Sequence, residues 1–348
     1  MSDVGDYFLT LGTQMAAGLG ATPDARAVFA EIACGVLHEV PAPPVDVLAM
    51  ADWAAAQNPL PRQVNFRSGF GQPPLVVFEA PGFYIEVLFW FPSRTAIHGH
   101  GFTGAFRVLS GCSVQVEYRF EETSAPEPGV RYGRLEPRDL AMIGPGDVSA
   151  IEGHDEFIHT VAHLGQPSLT LVARTPGRKG VAQHAFYRCG FSHRSVHDEQ
   201  TVSRQSDVLA AVFRARPAAF TGRLIQFLKR SDTILFVQVL HRLLSQLGVS
   251  DFSEHAMATV REEFGQSHAR AIEAVEENVR RDTWWGLIRR MQEPRKQVML
   301  TLSELFPDES ERDRVICEAR GVAEAQPVID EWVRIAEPGL RRETRAKE

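Results

Sequence analysis

Between residues 74 and 188 the chain is a succession of short apolar stretches cut by glycine and proline. That texture limits the fold more than any other feature of the sequence. Strand candidates fall at 74–79, 83–91, 95–99, 102–109, 113–120, 130–136, 139–143, 147–151, 157–163, 167–174 and 183–188. Pro81-Gly82, Ser110-Gly111, Gly144-Pro145-Gly146 and Pro176-Gly177 supply turns between them. Many short strands at this spacing build a sandwich or a barrel. The densest stretch, Phe83 to Phe91, leads into Ala96-Ile97-His98-Gly99-His100-Gly101. Side chains alternate along a strand, so His98 and His100 point to one face. Two imidazoles side by side suit chelation of a divalent transition metal.

A partner for them lies downstream. Gly144-Pro145-Gly146-Asp147 is a tight turn by composition, and His159-Thr160-Val161-Ala162-His163 follows on a strand-like segment. The glycine-flanked His-x-His, a Pro-Gly-Asp turn and a further His resemble the two-part signature of the cupin double-stranded β-helix. The fold class expected is a mainly β cupin, a jelly-roll barrel, with N-terminal helices and an added C-terminal α-helical domain. The expected divisions are a helical segment over 1–60, the barrel with its metal site over 61–200, and a helical domain with a charged tail over 201–348. Thr22-Pro23-Asp24 reads as a helix start and Asp282-Thr283 as a cap. The helical domain is expected to pack on the barrel, because Phe191 to Gln205 is no long Gly/Ser tract.

Composition narrows the classes. The net charge is -7 with no dominant basic block, so nucleic acid is not the expected partner. Four scattered cysteines without CxxC spacing argue against a disulfide framework and fit a reducing compartment. No signal peptide and no apolar run near membrane-spanning length is visible, which gives a cytoplasmic expectation. A homodimer is left open.

The run Phe83 to Gly111 and the segment Gly144 to Thr175 resemble cysteine dioxygenase and the wider thiol dioxygenase group of cupins. The likeness spans roughly residues 75–175, about a third of the chain. It implies metal ligation by His98, His100 and His159, with iron(II) and dioxygen. Other divalent transition metals suit imidazole too. The usual cupin Glu is missing, since Gly104 or Ala105 stands there. The family's Ser-x-His-x-Tyr support falls on Thr170 and Val172, and its substrate arginine has no counterpart in Pro73 to Val77, with Arg67 out of register. Cysteine oxidation is therefore not expected.

Three further residues are candidates. Arg107 and Arg174 could each hold a carboxylate or phosphate of a substrate, or form a plain ion pair. His163 should share the face of His159 and could be a fourth ligand, a supporting hydrogen bonder, a proton relay or an inert core residue. The expected function is an oxygenase acting with dioxygen on a small polar molecule. A cupin isomerase, lyase or hydrolase, or a metal- or ligand-binding regulatory protein, is the alternative.

Overall fold

A computed structural model describes residues 2–20, 28–64, 71–91, 93–177, 183–194, 196–248, 251–291 and 293–345. Three helices come first: α1 Ser2–Gly20, α2 Phe29–Glu39 and α3 Val47–Ala56. The Thr22-Pro23-Asp24 start and Arg67 lie outside the described residues. Strands follow as β1 Pro74–Ala80, β2 Phe83–Trp90, β3 Ser93–Arg94, β4 Ile97–His100, β5 Gly104–Glu127, β6 Val130–Ile143, β7 Val148–Ile151, β8 His154–Arg174, β9 His184–Phe186 and β10 Phe191–Arg194. The remaining helices are α4 Glu199–Ala215, α5 Pro217–Leu228, α6 Thr233–Leu247, α7 Asp251–Phe264, α8 Ala269–Ile288, α9 Pro294–Leu305, α10 Glu309–Arg320 and α11 Gln326–Arg345. No helix among the described residues is long and apolar enough to cross a membrane.

The chain divides into two compact units. The first comprises residues 1–119, 137–181 and 287–348; the second comprises 120–136 and 182–286. The helical region expected over 201–348 is thus divided, its part up to Gly286 in the second unit and the rest in the first. Asp282-Thr283 caps nothing, because α8 runs through it to Ile288.

The first unit is organised on β5 and β8. Along one edge of β8, β4 pairs with its first half and β2 with its second: His98 lies opposite His159, and Tyr84 opposite Arg174. β5 follows the other edge from Gly104 opposite Arg174 to Tyr118 opposite Ile158. Each strand therefore serves both halves of an antiparallel barrel. The Ser110-Gly111 turn expected from sequence is instead a bulge inside β5, where the register shifts and Gly111 has φ +82°. A side chain at Gly111 would run into Ser168, so only glycine fits.

The alternation of these strands decides inside from outside. Ile85, Val87, Phe89, Leu169, Leu171 and Ala173 pack against Tyr7, Phe8, Leu11, Phe29, Leu37 and Trp53 of the N-terminal helices. The opposite face encloses Phe106, Val108, Ile143, Ile151, Phe157, Val161 and Val172. On the outside of β8, α9 and α11 complete the unit, burying Val298, Leu302, Ile329 and Trp332.

The second unit has its own core. Phe220, Leu224, Phe236, Leu240, Leu243, Val260 and Val275 from α5 to α8 pack with Val130, Tyr187 and Phe191. Within it β10 pairs with the start of β6 and with β9.

Candidate metal centre

β4 delivers His98 and His100, and β8 delivers His159, to one point inside the barrel. One ring nitrogen from each lies within 4.8 Å of the others, and all three side chains are buried. His98 uses its Nδ1–H to donate to the carbonyl of Ala96 at 2.8 Å, two residues back. Nε2 of His98 is then left with its lone pair. His159 places Nδ1 3.3 Å from Oε1 of Gln115. Its Nε2 faces Nε2 of His100 at 3.1 Å. Imidazole nitrogens on one zinc-sized ion at ~2.0–2.1 Å stand roughly 3.0–3.4 Å apart. The donor set and its spacing thus fit a divalent transition metal.

Burial holds the three rings neutral, the state in which imidazole ligates. It lowers the pKa of His98 to about 4, against the opposing pull of the Ala96 carbonyl. His100 lies well below its ordinary value, through burial first and then through His98, His159 and Arg174. His159 is lowered by burial and by His98 and His163. Aromatic rings wall the site: Phe102 and Phe157 lie 4.9 and 5.9 Å from His100, and Phe157 and Phe106 lie 4.4 and 6.4 Å from His159.

The other candidates fare differently. His163 is on the inner face and buried, but it does not join the cluster of three. Its Nδ1 lies 2.9 Å from Oγ of Ser113, and its ring stacks on Trp90 at 4.2 Å. Nε2 of His163 has no hydrogen-bond partner among the described residues, and burial lowers its pKa to about 3. Arg174 stands near the triad: its guanidinium sits 3.5 Å over the Phe102 ring and Nη1 is 3.3 Å from Oε1 of Glu86. It also lines a groove of about 790 Å³ with Tyr84, Pro81 and Pro176.

Arg107 is not at the site. Its neighbours Phe106 and Val108 point inward, so alternation sends Arg107 outward. There Nη1 donates to the carbonyls of Leu37 and Val40 at 2.9 and 2.6 Å, closing the C-terminal end of α2. A substrate role for Arg107 is corrected accordingly to a structural one. Thr170 and Val172 do lie on the inner face, and Val172 belongs to its apolar lining. Asp155 and Glu156, on the approach to His159, are exposed.

Sequence reasoning missed Gln115, Glu117, Ser113, Trp90 and Glu86. Ser113, Gln115 and Glu117 alternate with Val114 and Val116, a pattern ordinarily read as polar outside and apolar inside. Here the polar row faces the barrel interior, where Gln115 is 4 % exposed. Gln115 Nε2 donates to Oε1 of Glu117 at 3.2 Å. Burial and Asp139 raise the pKa of Glu117, while Arg138 and the Gln115 hydrogen bond lower it.

No protein-family model matches the chain, and no curated protein matches it in sequence. Solved structures do. A protein with a double-stranded β-helix domain from Klebsiella pneumoniae is 18% identical, with 35% of this chain and 86% of that chain covered and a TM-score of 0.21. A cupin-2 domain protein from Shewanella frigidimarina is 12% identical over 37% of this chain and 95% of that one, at 0.22. Hydroquinone 1,2-dioxygenase PnpCD, solved with Cd2+ and 4-hydroxybenzonitrile, is 14% identical over 32% and 68%, at 0.24. The strand plan, with β5 and β8 shared between both halves of the barrel, is a mainly β cupin fold with helices added at both ends.

Proposed function

We propose that this chain is a metal-dependent cupin enzyme, an oxygenase using iron(II) and dioxygen at His98, His100 and His159 on a small polar substrate. One observation carries the reading. Three buried, neutral imidazoles converge on one point, and two of them have Nδ1 already engaged, leaving Nε2 for a metal. A bound iron(II), held by His98, His100 and His159, would supply activation of dioxygen toward the substrate. Among the described residues no carboxylate joins the three ligands, so an anionic substrate would supply the balancing charge.

The chain's own residues divide the remaining work. Arg174 orients the anionic group of the substrate, as a charge-assisted hydrogen bond worth roughly 1.5–3 kcal/mol. Phe102, Phe106 and Phe157 exclude water from the ligating rings. His163, neutral with Nε2 unengaged, takes or gives a proton there. The departures from the thiol dioxygenases at Thr170 and Val172, and the missing substrate arginine in Pro73 to Val77, argue against that group's thiols as the substrate.

The test is metal analysis of protein purified without added metal, then anaerobic reconstitution with iron(II) and measurement of oxygen uptake with candidate substrates. Iron near one per chain with substrate-dependent oxygen uptake is the expected result. Zinc in the site with no oxygen uptake would replace the oxygenase by an isomerase, lyase or hydrolase.

A further inference from the structure

The barrel interior holds a polar chain that the triad alone does not require. β5 and β8 pair so that Glu117 lies opposite His159 and Gln115 opposite Val161, all facing inward. Gln115 sits between the other two, 3.3 Å from Nδ1 of His159 and 3.2 Å from Oε1 of Glu117. An amide can be placed either way round, and its two ends have opposite chemistry. A carboxylate only accepts. It therefore claims the Gln115 NH2 and turns the amide oxygen toward His159. The reversed amide would set oxygen against oxygen at Glu117. An amide oxygen facing Nδ1 in turn demands a proton on Nδ1.

We infer that Glu117 fixes the orientation of the Gln115 amide, and through it holds His159 in the Nδ1–H tautomer with Nε2 free to ligate. Gln115 and Glu117 are positioning residues. They act on the metal through His159 without touching it. The role parallels the Ala96 carbonyl at His98, but uses two side chains where His98 uses backbone. His98 is set by its own strand, whereas His159 depends on two residues of a neighbouring one. Partners of this kind tune a ligand's orientation and basicity.

The inference rests on the metal reading for its affinity readout only; the tautomer is a property of the metal-free protein. The experiment is long-range 15N–1H spectroscopy of the metal-free full-length chain, which reports the protonated ring nitrogen, beside zinc(II) affinity by chelator competition. Wild type is expected to show His159 protonated at Nδ1. Gln115→Leu and Glu117→Leu are expected to mix the tautomers and weaken zinc(II) binding roughly 10- to 100-fold. The swap Gln115→Glu with Glu117→Gln keeps an acceptor at Nδ1 and a donor–acceptor pair between the two side chains, and should retain both the tautomer and the affinity even if Gln115→Leu folds poorly. A His159 proton on Nε2 in wild type, or an unchanged tautomer in folded Gln115→Leu, overturns the inference. An Nδ1–H tautomer in a protein that binds no zinc(II) or iron(II) would sink the metal reading while upholding this one.

Discussion

His98, His100 and His159 are more exacting than their number suggests, because each is buried and each is held neutral. His98→Ala or His159→Ala should remove most bound metal while circular dichroism still shows a folded barrel. The apolar lining of Phe106, Val108, Val161 and Val172 does not depend on those rings. Full metal stoichiometry in either variant would mean the ligands are elsewhere. His163→Ala should keep its metal, since His163 stands outside the cluster, and lose turnover. Equal turnover at equal loading would remove it from the mechanism. Acid supplies a further check. His98, His163 and His193 have pKa values lowered to about 4, 3 and 4, all chiefly by burial. In the unfolded chain they titrate near ~6.5, so below that pH the unfolded state binds more protons. Their contribution is whole above pH ~6.5 and falls as pH drops, by roughly 1.4 kcal/mol per unit for each group until its folded pKa is reached. The urea midpoint of metal-free protein should therefore fall from pH 7 to 5, and less steeply in His193→Gln. A flat midpoint would contradict the neutral burial of these rings.

Among the elements, β5 shows best what sequence could and could not give. Strand character, the triad and its meeting across β4 and β8 were legible, because period-two alternation and glycine-flanked histidines are local signals. The parity of Arg107 was not, because alternation says that neighbours face opposite ways without saying which way is in. Phe106 and Val108 settle it only once their partners are known. The same ambiguity hid Gln115 and Glu117, whose polar row reads as a solvent face in the absence of the barrel that encloses it. Ser110-Gly111 misled for a related reason: a glycine at positive φ serves a bulge as well as a turn. The element-scale prediction concerns Arg107. Arg107→Met should lower stability by roughly 1–3 kcal/mol, the cost of leaving buried carbonyls without a donor, with metal content unchanged. Thermal melts and metal analysis of the one variant decide it. Loss of metal at full stability would return Arg107 to the site.

For the molecule as a whole, chain order and compact units do not coincide. Residues 287–348 belong with the barrel, although the second unit's residues 182–286 come between. α9 lays Val298 and Leu302 in the first unit's interior, and its Glu304 meets Arg94 at 3.8 Å with both side chains nearly enclosed. Ending the chain at residue 200 should therefore expose the surface that α9 and α11 cover, and yield aggregated protein. A soluble, monodisperse barrel from residues 1–200 would show that these helices are dispensable.

The division has a bearing on synthesis. The first unit begins at the N-terminus yet cannot be finished until α11 has been made, while the second needs nothing beyond residue 286. The ribosome thus releases a completed helical unit before the barrel that preceded it can close its outer face. His98 waits through some sixty residues for His159. The β8 strand that carries His159 waits through well over a hundred more for its helical cover. The unit that holds the three histidines is the part whose nascent surface stays open longest, and hydrophobic strands left open in that interval are where aggregation begins.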